Sequence, residues 1–157
     1  MYLIAYFTFT GNNKKVAETL KNLINATIFE IKDRCKRNFL RDSFFAIIKK
    51  DVKIDPLNVD QRDFDSVIIC TPIWASNVPA AVFTFLKQNR DILSHKSFYF
   101  VSVSGYGDKN SKITGKITKH LKLNIKKALF LMDDEIKENT YLEKLEDFVK
   151  ELQKELP

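Results

Sequence analysis

The stretch YLIAYFTFTGNNKKVA, residues 2–17, decides the architecture. Its first eight residues, 2–9, are apolar and aromatic without the polar alternation of a half-exposed strand, which fits a strand covered on both faces. Gly11-Asn12-Asn13 then breaks the run. From Lys14 onward Val16, Ala17, Leu20, Leu23 and Ile24 recur at helical spacing. Strand, tight turn and helix therefore follow in order.

The same alternation continues along the chain. Residues 26–31 read as a second strand, and Phe39, Leu40, Phe44, Ile47 and Ile48 mark one face of a helix whose other face carries arginine and lysine. Pro56 and the polar residues up to Asp65 form a loop. Ser66 to Cys70 is a β-branched strand ending at Thr71-Pro72, and a helix is expected over 78–88. Residues 97–103 (SFYFVSV) form a fourth strand, followed by a loop at 104–108 and a basic helix over 111–121. Residues 125–131 close the strand set, and a last helix over 139–156 turns Leu142, Leu145, Phe148, Val149 and Leu152 inward. No linker, repeat or low-complexity tract interrupts the pattern.

Five apolar strands alternating with helices specify an α/β fold, a parallel sheet with helices on both faces. The expected strand order is 2-1-3-4-5. At 157 residues with 45% hydrophobic content, the chain can bury one substantial core, and residues 1–157 are read as a single domain. The amino-terminal apolar run has no basic leader and is too short for a membrane span, so a cytoplasmic protein is expected. Cys35 and Cys70 match neither a redox pair nor a zinc site and are read as free thiols, Cys70 within an apolar run; His95 and His120 have no companion ligands, so no metal is expected.

In a doubly wound sheet, ligands sit outside the carboxyl ends of the strands at the switch point, here between the first and third strands. Three loops converge there, and three of the four glycines, Gly11, Gly105 and Gly107, lie in them. Ordinary turns use glycine too. The first loop, Thr8-Phe9-Thr10-Gly11-Asn12-Asn13, adds hydroxyls and a side-chain amide to free N–H groups at a helix start, a setting that stabilises a phosphate monoester. Lys14 and Lys15 are read as solvated first-turn residues and not as ligands. Walker spacing and the dinucleotide fingerprint are both missing.

The pattern T-F-T-G-N-N-K-K-V-A-E directly after the first strand resembles the phosphate loop of flavodoxins, written T/S-x-T-G-N-T. The stretch VIICTPIWASNVPAAVFTFL, residues 67–86, is similar to the family's flavin loop and the helix after it, with Cys70 where glycine is usual and Ala75 where glycine often follows the aromatic. This resemblance implies a flavodoxin-like three-layer fold and FMN, since one phosphate loop is present and no adenylate site is recognisable. It further implies that Thr71, Pro72, Ile73, Trp74 and Ala75 run beside the isoalloxazine ring, with backbone groups at Trp74, Ala75 and Ser76 near its N5 edge. The third loop, Ser104-Gly105-Tyr106-Gly107-Asp108, occupies the place where such proteins contact the pyrimidine edge. Tyr106 is its candidate ring cover, or else a side chain on a variable loop.

Two other families share the sheet order and are set aside. A receiver domain needs an acidic cluster after the first strand and an aspartate after the third, where this chain has Phe9-Thr10 and Thr71-Pro72; a low-molecular-weight phosphatase needs a cysteine and an arginine in the first loop. The resemblance implies electron transfer through FMN, with an NAD(P)H-dependent flavin or quinone reductase and a non-catalytic binding module as alternatives. No Ser/His/Asp or Cys/His arrangement points to nucleophilic catalysis.

Carrier flavodoxins are usually acidic, whereas this chain carries a net charge of +6. Residues 32–53 hold eight basic against three acidic side chains, a local +5. Placed near the ring, these charges would make the potential of the fully reduced flavin less negative and favour an acidic redox partner; a solvated helix face would have the same composition. Neither nucleic acid nor a membrane is the expected partner, because Phe39, Phe44 and Phe45 are expected to cover the sheet. The protein is expected to be a monomer or a homodimer.

Overall fold

The computed structural model describes residues 1–34, 44–46 and 50–154, without the side chains of Asp108 and Asn110. Its strands are β1 (Tyr2–Tyr6), β2 (Ala26–Glu30), β3 (Ser66–Thr71), β4 (Ser97–Ser104) and β5 (Ile125–Met132). Its helices are α1 (Asn12–Leu23), α2 (Ala80–Gln88), α3 (Arg90–Ser94), α4 (Lys112–Leu121), α5 (Asp133–Glu138) and α6 (Tyr141–Lys154). Every strand pair is parallel, and the order is β2-β1-β3-β4-β5, as expected from the sequence. β1 lies inside the sheet, pairing Tyr2 with both Ala26 and Ser66.

The unbroken apolar character of the strands reflects two cores, one on each face of the sheet. Leu3, Ala5, Val67, Ile69, Phe98 and Phe100 face α2, α3 and α4, while Tyr2, Ile4, Tyr6, Ile68, Cys70, Tyr99 and Val101 face α1, α5 and α6. Successive residues of one strand thus serve opposite cores, as the period of two requires. Tyr6 lies at the end of β1, where burial and then the Glu30 carboxylate push its hydroxyl up to about 12, so it stays protonated. Burial likewise pushes the Cys70 thiol up. Among the described residues, no helix is long and apolar enough to cross a membrane.

Several sequence boundaries shift. α1 starts at Asn12 rather than Lys14, because Gly11 already supplies the N-cap. The helix expected over 139–156 begins at Tyr141 and is preceded by the separate α5, the two being parted by Asn139 at φ 60. Leu145, Phe148, Val149 and Leu152 are buried as expected, but Tyr141 joins them and Leu142 is exposed. α3 is an element the sequence pattern does not announce. Phe44 is 56% exposed instead of covering the sheet, since the helical turn at 44–46 buries Ala46 on its other side. Phe39, Leu40, Ile47 and Ile48, Cys35, and the basic residues Lys36, Arg37, Arg41 and Lys49 lie outside the described residues.

Candidate functional site

The carboxyl ends of β1, β3, β4 and β5 deliver four connections to one edge of the sheet. In the first, Gly11 adopts φ 96, ψ −16, a left-handed conformation that glycine reaches without cost. Its N–H donates to Thr8 Oγ1 at 3.0 Å, and its carbonyl accepts the Lys15 N–H at 3.0 Å, the first full turn of α1. No side chain caps α1 and no acid stands in its first turn. The amides of Asn12, Asn13 and Lys14 therefore have no intrahelical acceptor, and the helix dipole adds to them. This donor set suits a phosphate monoester.

The two asparagines do different work. Asn13 is 3% exposed; its Oδ1 accepts the Val103 N–H at 3.2 Å and its Nδ2 donates to the Val103 carbonyl at 3.5 Å. Ladder pairing between β3 and β4 ends at Thr71 and Ser102, and Pro72, which follows, has no N–H to offer. The side-chain amide of Asn13 supplies the missing donor and acceptor. Asn12 Nδ2 donates to Asp133 Oδ1 at 2.8 Å. Lys15 turns away from this edge: its ammonium donates to the Ile136 carbonyl at 3.2 Å and Asn139 Oδ1 at 2.9 Å, and Lys14 pairs with Glu18. Both ammonium groups are thus engaged outside the cleft.

After β3, the Thr71 hydroxyl is fully buried and donates to the Pro72 carbonyl at 3.1 Å. Trp74 and Asn77 then close a two-residue turn, with Trp74 N–H to Asn77 O at 2.8 Å and Asn77 N–H to Trp74 O at 2.9 Å. The two central residues, Ala75 and Ser76, have φ 47 and φ 57. Such primed turns are ordinarily built from Asn and Gly; for side-chain-bearing residues the left-handed region costs about 1–2 kcal/mol each. Trp74 is held edge-on by Phe7 at 5.8 Å and Phe9 at 5.7 Å between ring centroids. An aromatic wall stands beside a strained turn.

The third loop leaves β4 at Ser104. Tyr106 is 71% exposed, and Gly107, at φ 48, opens a short 3-10 turn over Gly107–Asn110 that includes the backbone of Asp108. A Cβ on Gly107 would stand 2.9 Å from Met132 Cγ, so glycine is required there on two counts.

These loops border a cleft of about 210 Å³ lined by Phe9, Thr10, Asn13, Pro72, Ile73, Trp74, Val103, Ser104, Gly105 and Asp133. Ile73 also lines an adjoining groove of about 270 Å³ with Ala75, Ser76, Tyr106 and Lys109. Of the residues expected at the site, Thr8, Gly11, Asn12, Thr71 and Gly107 shape the loops without lining either space. Asp133 was not anticipated. It follows β5 directly, and a residue leaving the carboxyl end of a parallel strand is placed at the ligand edge; an Asp-Asp pair in that position is the signal.

A family model for the flavodoxin domain matches residues 3–155. The chain belongs to the flavodoxin domain family. Among solved structures, the flavodoxin-domain chain is similar to a flavoprotein in complex with FMN from Lactobacillus acidophilus NCFM, at 21% identity over 87% of this chain and 96% of that one, with a TM-score of 0.67. It is similar to oxidised flavodoxin 1 from Bacillus cereus, at 15% identity over 99% of both chains and a TM-score of 0.58. A flavodoxin from Fusobacterium nucleatum bound to flavin mononucleotide matches at 14% identity over 99% and 98% of the two chains, with a TM-score of 0.58. No curated protein sequence matches the chain significantly. At these identities the structural matches carry the fold, which agrees with the flavodoxin-domain assignment.

Proposed function

We infer that this flavodoxin-domain chain holds FMN along the carboxyl edge of its sheet and carries electrons through it. The observation that carries the reading is continuity: Thr10 and Asn13 at the uncapped start of α1 line the same cleft as Trp74 and Gly105. A ligand with a phosphate at one end and a flat apolar ring at the other fits that order of groups. Support also comes from the similar chains of L. acidophilus and F. nucleatum, which were solved with FMN.

In this reading Thr10 and the amides of Asn12, Asn13 and Lys14 hold the phosphate, while Thr8 fixes Gly11 so that those amides converge. Trp74, oriented by Phe7 and Phe9, walls one side of the ring. Ala75 and Ser76 present backbone groups to its N5 edge beside Trp74, and Thr71, Pro72 and Ile73 lead the chain there. Gly105, Tyr106, Gly107 and Asp108 form the opposite border after Ser104. Asp133 offers an acceptor for a hydroxyl group in the cleft. Bound FMN supplies reversible one- or two-electron transfer; the protein's part is to bind it, exclude water from its ring and tune its potential. An acidic redox protein is the proposed partner, attracted by the net charge of residues 32–53.

The test is the absorbance spectrum of the purified protein after FMN addition and desalting, followed by anaerobic reduction with and without NAD(P)H. Retained flavin, reduced in two separated one-electron steps and untouched by NAD(P)H, is the expected result. Rapid bleaching by NAD(P)H would make the protein a reductase on the same fold. Loss of all flavin on desalting from micromolar protein would leave a binding module without this chemistry.

A further inference from the structure

Ala75 and Ser76 stand in the left-handed region without the glycine or asparagine that normally relieves it. Something else must hold them there. Each of their carbonyls is held by a side chain: Asn77 Nδ2 donates to Ala75 O at 3.0 Å, and Lys116 Nζ donates to Ser76 O at 2.8 Å. The first tie lies within the turn. The second reaches across from α4, forty residues along the chain.

α4 is a firm base for that reach. Ile113, Ile117 and Leu121 bury one side of it in the core, while Lys116 stays exposed on the turn's side. The bond is charge-assisted, which makes it stronger than a neutral contact of the same length. Ser76 also lines the groove shared with Tyr106, so the peptide that Lys116 holds belongs to the wall of the candidate site. We propose that Lys116 is a positioning residue: by clamping the Ser76 carbonyl it fixes the strained Trp74–Asn77 turn, and its ammonium adds a positive charge beside the bound flavin. The effect on the turn stands on the geometry alone; the effect on the flavin rests on the FMN reading.

Trp74 is the sole tryptophan of the chain and lies in the turn itself, so its fluorescence reports the clamp directly. The experiment compares the full-length wild type with Lys116→Met, Lys116→Gln and Lys116→Arg, each first checked by far-ultraviolet circular dichroism. Without flavin, acrylamide quenching of Trp74 should rise about two-fold in Lys116→Met and return close to wild type in Lys116→Arg. With FMN at equal occupancy, the midpoint potential should fall in Lys116→Met and Lys116→Gln and hold in Lys116→Arg, since only the last keeps the charge.

Unchanged quenching in a folded Lys116→Met protein would overturn the clamp. If that variant does not fold, Lys116→Gln decides, and quenching equal to wild type there overturns it as well. Equal potentials in all four proteins would overturn the electrostatic part. Failure of the wild type to bind FMN would remove the flavin reading and leave the quenching result to judge the clamp.

Discussion

Replacing Asn13 by alanine should cost far more than the loss of one surface amide. Asn13 is buried, and it satisfies the N–H and the carbonyl of Val103 at the point where β3 has turned away. Alanine leaves both groups without that partner inside the protein. An unsatisfied buried group costs roughly 1–3 kcal/mol; the 3.2 Å bond from the Val103 N–H carries most of this, and the 3.5 Å contact adds little. A loss of about 2 kcal/mol follows. With a urea slope of about 2 kcal/mol/M, the unfolding midpoint should drop by about 1 M. Asn13→Asp keeps an acceptor but buries a charge against the Val103 carbonyl, so it should fall at least as far. Equilibrium urea unfolding followed by circular dichroism measures both. An Asn13→Ala protein within about 0.5 kcal/mol of wild type, the range of ordinary surface changes, would refute the idea that this side chain completes the sheet.

Three further outcomes are expected. Gly11→Ala should lose about 1–2 kcal/mol of stability and weaken FMN retention, because its Cβ meets open space and only the left-handed φ of 96° penalises it; thermal melts and flavin titration check both. Burial tends to raise the Glu135 pKa, but the Lys144 ammonium and the Met132 N–H outweigh it and hold the carboxyl below its usual range. A depressed folded-state pKa gives stability that is present above the unfolded value near 4.5 and is lost as pH falls through the folded one. Glu135→Gln should therefore be about 1 kcal/mol less stable at pH 7, with the gap closing as pH falls below the unfolded value in urea melts run across pH. In a Cys35→Ser background, Cys70 should resist a thiol reagent in the native protein at pH 8 and react fully in urea, because burial both shields it and raises its pKa; rapid native labelling would contradict its place in the core.

The order of the sheet and the position of the cleft were legible because long apolar runs, Gly11 and Thr71-Pro72 each carry a strong local signal. What escaped was set by tertiary context. Ala75 and Ser76 have no intrinsic preference for positive φ, so nothing in their sequence announces the turn that Asn77 and Lys116 impose. Asn13 reads as part of a phosphate loop, and its service to Val103 appears only when β4 lies beside it. The acidic start of α5 looks like a loop until Glu135 is seen bonding back to the Met132 N–H at 2.8 Å. Leu142 and Tyr141 are both spaced to join the face of Leu145, Phe148, Val149 and Leu152, and only the structure shows that Tyr141 takes the buried place.

The burial of β1 by α6 bears on how the chain is made. Ile4 and Tyr6 are synthesised well before Leu145, Phe148 and Leu152, yet all five belong to one buried cluster. That face of β1 must wait, partly uncovered, until α6 has been made. Parallel pairing of distant segments is slow for the same reason of loop closure. This face of the sheet therefore closes only once α6 has been made, and a chain cut short before α6 would offer its hydrophobic first strand to chaperones or to other unfinished copies.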